Sequence, residues 1–359
     1  MKRLRILTIF TVITALILYF SKKMNTIEAA GEGLVIKKEW LTINQNPLTP
    51  QKDVRPADQT FLTFPEWFLV FSPEEQANYF KKTTASSFPF MSHVKQFWAS
   101  YRIINHQIKD NFPPNKGYHL MIWVIGCSTT VEYSMKALYE TIVGRLTDTK
   151  EVITEEDKFN AKFTQDYVDF IRDKPWYEFD FKSRLKTLWS ETSFFGDSFL
   201  RKIDRKYLLT SELLVKWGYG KLIGLGSKQV YDEVLPTTAV VLNSSAINHG
   251  LKVEKQFDDN TVLVYLPRYH QFNQAITDLA TKGLSFKEIA GNNSAILLTV
   301  LVPTSQEAKF TNAQTVFTQI VSSDLSMKRI ALAIPVGQLD KLLVQLVNEK
   351  VKIEHVFDY

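Results

Sequence analysis

Five side chains in the helical part of this 359-residue chain are the candidates for proton transfer: Glu66, His119, Glu132, Glu178 and Glu191. A histidine can serve as a general base, with a carboxylate as its orienter or as an acid. Each of the carboxylates also has a structural role open to it. Thr63-Phe64-Pro65-Glu66 and Ser72-Pro73-Glu74-Glu75 have the spacing of capping boxes, in which the glutamate reaches back three residues to the cap. That spacing predicts a short helix from Phe64 and a second one from Pro73. Glu132 interrupts an apolar stripe of Met121, Ile125 and Met135, with Lys136 placed four residues on to pair with it. Glu178 and Glu191 lie among the aromatics of KPWYEFDF and LKTLWSETSFFG, a pattern of core and rim as much as of pocket lining.

No G-x-S-x-G, H-E-x-x-H, C-x-x-C or P-loop occurs. KWGYGKLIGLG, residues 216–226, lacks the spacing of a phosphate loop and reads as a helix ending at a domain boundary. Cys127 is the only cysteine, which excludes an intramolecular disulfide and a cysteine-based zinc site; its apolar context predicts a buried small residue. His93 and His106 are thirteen positions apart, off any common helical face, and are expected at the surface. No His/Asp/Glu set has ligand spacing, so neither metal nor cofactor is expected.

The net charge of +5 does not indicate a nucleic-acid partner. Residues 1–23 hold five basic residues and no acid, which leaves 38 basic against 38 acidic in the rest. A phosphate-binding surface needs a concentrated positive field.

The elements that must position the candidates fall into four parts. Residues 1–23 carry a basic start, an uncharged run from Ile6 to Phe20, and then Lys22 and Lys23. A cleaved signal peptide and an uncleaved anchor both fit the length. The absence of a small-residue cleavage site favours a single-pass signal-anchor in the inner membrane. Three basic residues before the run against two after it would keep the amino end cytoplasmic and the bulk of the chain extracytoplasmic. Residues 24–58 have loop chemistry and are expected as a stalk, with one short strand at Leu34–Ile36.

Residues 59–226 should form a helical domain. Gly117 to Leu146 is wholly apolar from Leu120 to Cys127, which predicts the central helix of that domain with others packed around it. On one face Gly126, Thr130, Ala137 and Gly144 are small enough to admit a close neighbour. Val94, Phe97, Trp98, Tyr101, Ile104 and Ile108 predict another helix, and Thr154-Glu-Glu-Asp starts a third. Residues 227–359 turn α+β. Thr261–Pro267, Tyr269–Lys282 and Leu284–Ile289 repeat as Arg329–Pro335, Gln338–Glu349 and Val351–Phe357, with further strands at Ala295–Val302 and Thr237–Leu242. Two split βαβ units predict a ferredoxin-like α/β sandwich.

The combination TFPEWFLVFSPEE, GYHLMIWVIG…VEYSMKALYETIVGRLT, KPWYEFDF and IEHVFDY resembles a family of uncharacterised bacterial membrane-anchored proteins, over roughly residues 59–359. That family carries no assigned activity, so the resemblance implies architecture alone. Two functions stay open. One is a membrane-tethered extracytoplasmic protein that binds a protein or an envelope component. The other is an enzyme at the membrane surface with its Glu/His site in the helical domain.

Overall fold

The computed structural model describes residues 31–32, 35–148, 152–227, 237–243, 251–257, 260–310 and 312–358. The anchor expected at residues 1–23 lies outside them, and no described helix is long and apolar enough to cross a membrane. The fold is mixed α+β. Six helices come first: α1 Gln59–Phe80, α2 Phe90–Ile108, α3 Lys116–Tyr139, α4 Glu155–Ile171, α5 Phe181–Glu191 and α6 Phe199–Ser227. After them α7, His270–Thr281, and α8, Leu339–Asn348, accompany two antiparallel sheets.

The helix at the centre is α1, not α3. Phe61, Phe64 and Phe68 of α1 are fully buried. The helix runs unbroken through Pro65 and Pro73, so the two capping boxes are absent. Each proline removes one backbone donor, a cost that burial on both sides of the helix offsets. Thr63 Oγ1 donates to the Gln59 carbonyl at 2.7 Å instead of capping, and Thr60 Oγ1 donates to the Phe357 carbonyl and accepts from Leu297 N–H.

Helix α3 lies at the edge of the domain. Ile122, Gly126, Thr130 and Tyr133 face inward while Leu120, Trp123 and Val124 are exposed. The small-residue face does admit a neighbour: a Cβ at Gly126 would overlap the Phe97 ring of α2 and stand 2.8 Å from Trp98. The chain continues from α3 through a π-turn, Glu140–Gly144. Helix α4 starts at the capping box Thr154/Asp157. Helix α6 does not stop at its glycines. Gly220 lies inside it against Trp176 and Tyr177, where a Cβ would meet the Tyr177 carbonyl at an ordinary contact distance of 3.4 Å.

The later strands form two sheets, not one. The first has the order β3-β4-β2-β5, with β2 Thr237–Asn243, β3 Val253–Gln256, β4 Thr261–Pro267 and β5 Phe286–Ile289. The second runs β1-β7-β8-β6-β9, with β1 Gly31–Glu32, β6 Ala295–Pro303, β7 Gln314–Ile320, β8 Met327–Pro335 and β9 Lys352–Val356. Strand β2 is antiparallel to both β4 and β5, so β4-α7-β5 crosses over it; β8-α8-β9 crosses over β6 in the same way. The two halves therefore share one topology, with β3 and β7 as matching outer strands that carry too little alternation to be read from sequence. One core takes inward residues of both sheets together with α7 and α8. Along β6, Ile296, Leu298 and Val300 face that core, while Ala295 and Leu297 face α1. A strand covered on both sides reads as a continuous apolar run, as this one does.

Residues 35–58 do not stand off as a stalk. Ile36 N–H donates to Gln107 Oε1 at the end of α2, and Lys37 N–H donates to Gln314 Oε1 of β7. Further on, the Glu288 carboxylate of β5 accepts four hydrogen bonds, from Asn44 Nδ2, the Leu48 and Thr49 amides and Thr49 Oγ1, each at 2.9 Å. Glu288→Ala should cost about 3 kcal/mol, the scale expected for hydrogen bonds to a buried charged group. Urea unfolding would measure it, and limited proteolysis should open between residues 44 and 50. An unchanged cleavage pattern would show that the segment is held elsewhere.

Candidate functional site

The five residues proposed for proton transfer do not converge. Glu178 and Glu191 are exposed. His119 is half-buried, its Nδ1 2.8 Å from Tyr101 OH, and burial lowers its pKa. Glu132 is about a third exposed, pairs with Lys136 as its spacing predicts, and pairs also with Lys216 of α6. Burial disfavours its charge, but the ammonium groups of Lys216 and Lys136 outweigh that and lower its pKa. Glu212 completes a quartet with both lysines and is held down to about 2 by them, against the opposing effect of burial.

Glu66 has the most developed surroundings. It accepts from Tyr118 OH at 2.5 Å, and Tyr118 OH is 3.0 Å from Thr63 Oγ1. Burial raises the Glu66 pKa; the Tyr118 hydrogen bond and the nearby Arg268 cation work the other way. Arg268 Nε donates to Asp358 at 3.1 Å, and its guanidinium lies 4.8 Å over the Tyr269 ring. Tyr269 has φ 61° and ψ −132°, a backbone conformation that costs a non-glycine residue about 1–3 kcal/mol. A cavity beside this cluster, lined by Asp53, Arg55, Thr237, Thr238, Ala239 and Arg268, has a volume of only about 10 Å³. That is room for about one water molecule, not for an organic substrate.

The arrangement nearest to a nucleophile, base and orienter is one that sequence reasoning missed. Ser72 Oγ is 2.8 Å from His93 Nδ1, and His93 Nε2 is 3.5 Å from Glu75 Oε2. All three side chains are buried, so the surface histidine and the capping glutamate expected here are both corrected. The misplaced signal was the proline: Pro73 reads as a helix start, which hides the fact that Ser72 and Glu75 lie mid-helix and face the core.

The packing explains the triad without chemistry. Ser72 Oγ is also 2.8 Å from Tyr133 OH, which Gln76 Nε2 reaches at 2.5 Å. Glu75 is occupied by Arg329, whose Nη2 lies 3.0 Å from its Oε1. Burial raises the Glu75 pKa, with Arg329 opposing, while burial and the same cation press His93 down to about 3. His93 is therefore neutral at pH 7, a packed polar group. Cys127 is half-buried.

Among the described residues no group of three or more His, Cys, Asp or Glu side chains could hold a metal ion. No protein-family model matches the chain, and neither a curated protein nor a solved structure shows significant similarity to it.

These shifts give a pH dependence. His93 and His355 both have pKa values below the ordinary 6.5, His355 because of burial first and His270 second. The unfolded chain takes up protons on them as pH falls below 6.5, and the fold resists doing so. Stability is then full above that pH and declines below it by about 1.4 kcal/mol per pH unit for each histidine. Glu75 acts in the opposite sense: its raised pKa lets the fold take up a proton earlier, recovering part of the loss near its ordinary 4.5. Urea unfolding of His93→Gln between pH 6 and pH 5 should show a clearly shallower slope than the parent, because one of the depressed histidines is removed. An identical slope would mean that His93 is protonated in the fold.

Proposed function

We infer that the protein is a membrane-tethered, extracytoplasmic binding or envelope-interaction protein. The observation that carries this reading is the dispersal of the acid–base candidates: Glu132 is held in an ion-pair quartet, His119 on a tyrosine, Glu66 on Tyr118, and Glu178 and Glu191 are exposed. Side chains committed in this way build a frame. The tether is residues 1–23, a single-pass signal-anchor of the inner membrane, and the partner is a protein or an envelope component.

The resemblance to uncharacterised membrane-anchored proteins supports the same placement. The repeated β4-α7-β5 and β8-α8-β9 crossovers support reading the carboxy-terminal part as a duplicated ferredoxin-like unit. Such folds serve many functions, so the fold does not choose among them.

One observation favours the enzyme alternative: Glu66, Tyr118, Arg268 and the strained Tyr269 gather beside the cavity at Arg55. Complementation of a chromosomal deletion separates the two readings. His119→Ala, Glu178→Ala, Glu191→Ala and Glu66→Gln should complement at matched protein level, while removal of residues 2–23 should not. Loss of complementation by Glu66→Gln at an unchanged melting midpoint would favour the enzyme. The tether has its own measurement: full-length protein should pellet with membranes after high-salt and alkaline carbonate washes. Release into the wash, or a mature amino terminus near residues 24–31, would remove it.

A further inference from the structure

Helix α6 runs antiparallel to the second half of α3 and the π-turn after it. Lys136 and Lys216 pair across them with Glu212 and Glu132, and Arg205 of α6 donates to the Glu140 carboxylate at 2.5 and 3.0 Å. Near the middle, Tyr139 stacks on Tyr207 at 6.2 Å. The charges of this pair are turned toward each other and toward α4, where the Arg201 guanidinium meets Asp157 at 2.8 Å.

What faces outward is apolar. Leu120, Val124, Met135, Leu138, Ile142 and Leu146 of α3 and the turn after it fall at helical spacing and are 54–73 % exposed. Leu200, Ile203, Tyr207, Leu214 and Leu222 make a matching stripe on α6. The stripes meet at the Tyr139–Tyr207 stack and run about 40 Å. Exposed apolar rows on two neighbouring helices mark an interaction site.

Four observations select the occupant. The polarity is inverted, with charges paired inside and apolar groups outside, which is the arrangement of helices whose surroundings are hydrocarbon. The fully exposed charges on the described part of the two helices lie in their terminal regions, Lys116 and Arg145 at the two ends of the α3 segment and Lys221 near the end of α6, while the partly exposed Glu132 is paired with Lys136 and Lys216. Basic residues so placed reach lipid headgroups. At the end of the pair where α6 begins, Trp189, Phe194, Phe195 and Phe199 form an exposed aromatic tip, with Phe195 stacked on Phe199; such rings suit the interfacial layer. Finally, Gly31 already pairs with Thr318 of β7, and Ile36 is bonded to Gln107 just before the turn into α3. The seven residues 24–30 can span at most about 25 Å, so an anchor ending at Lys23 would keep Gly31, and the domain it joins, within that reach of a bilayer.

We propose that the outer faces of α3 and α6, with the aromatic tip at Phe195, rest in the interfacial layer of a lipid bilayer. The proposal rests on the membrane-tethered reading and adds to it which face of the protein meets the membrane. Two amphipathic helices lying in the plane of the interface bury their apolar faces at the headgroup–acyl boundary.

The test uses the full chain in a Cys127→Ser background, reconstituted in phosphatidylcholine vesicles. Leu138→Cys and Leu222→Cys each receive an environment-sensitive fluorophore, with Ser305→Cys in the exposed loop after β6 as reference. Positions 138 and 222 are well exposed, and unchanged melting midpoints would verify folding. The ratio of quenching by nitroxide-labelled lipid to quenching by aqueous iodide should be at least about fivefold higher at 138 and 222 than at 305, as burial at the interface requires. Iodide quenching at 138 and 222 equal to that at 305 would overturn the proposal. Shielding from both quenchers would overturn it as well, by showing a protein cover, either a second copy or the amino-terminal segment. Carbonate extraction of the same vesicles reports on the tether separately, so protein that pellets but is quenched by iodide defeats the docking face and leaves the anchor standing.

Discussion

The contact between the helical part and the sheets turns on one buried guanidinium. Arg329, on β8, donates through Nε and Nη2 to Glu354 of β9 and through Nη2 to Glu75 of α1. The Phe71 ring lies 4.9 Å from it. A guanidinium without water is tolerated only when paired, and removing one partner of a buried pair costs about 3–5 kcal/mol. Arg329 therefore fixes how α1 sits on the five-stranded sheet. Its charge also sets the state of the groups around it, opposing the rise in the Glu75 pKa and helping to depress that of His93. The Ser72–His93–Glu75 line follows from this constraint. A carboxylate drawn inward to meet Arg329 brings its helix neighbours with it, and the neighbours must be polar to satisfy one another.

The local elements were largely legible in the sequence. Thr261–Pro267 is predicted and found with the same limits, and the 68-residue offset between Pro267 and Pro335 marks a true repeat of topology. The lone carboxylate of the apolar stripe, Glu132, does pair with Lys136. Legibility failed where tertiary contacts overrode local signals. Pro65 and Pro73 look like helix starts, yet α1 runs through both because its burial on two sides outweighs the lost hydrogen bonds. His93 carries no local mark of burial; its place depends on Glu75, eighteen residues earlier, and on Arg329, more than two hundred later. The segment 35–58 reads as a linker because its apolar residues, such as Ile36 and Leu41, follow no period although they are buried, and Glu288, which holds it, is far away in sequence.

The candidate site fared worse than the fold for a related reason. Residue type says which side chains can move protons, but convergence is a property of long-range packing. Lys216 was legible only as part of a glycine-rich stretch, although it is a principal counter-ion of Glu132. Gly220 and its neighbours suggest a break in that stretch, while the helix runs through them to Ser227.

The most instructive error concerns α3. An apolar run is expected in the protein core, because in water that is where such a run is stable. The rule holds for α1, which obeys it at Phe61, Phe64 and Phe68. In α3 the same rule points outward. Its inward face holds Ile122, Gly126, Thr130 and Tyr133, with Glu140 buried at the start of the π-turn, while Met135, Leu138 and Ile142 are exposed. A sequence that spends its apolar residues on the surface and its charges in the interior conflicts with folding in water alone. Where one element contradicts a rule that its neighbours follow, the contradiction itself is evidence of function. The reading of α3 and α6 as a docking face thus comes from the place where the sequence and the fold disagree most.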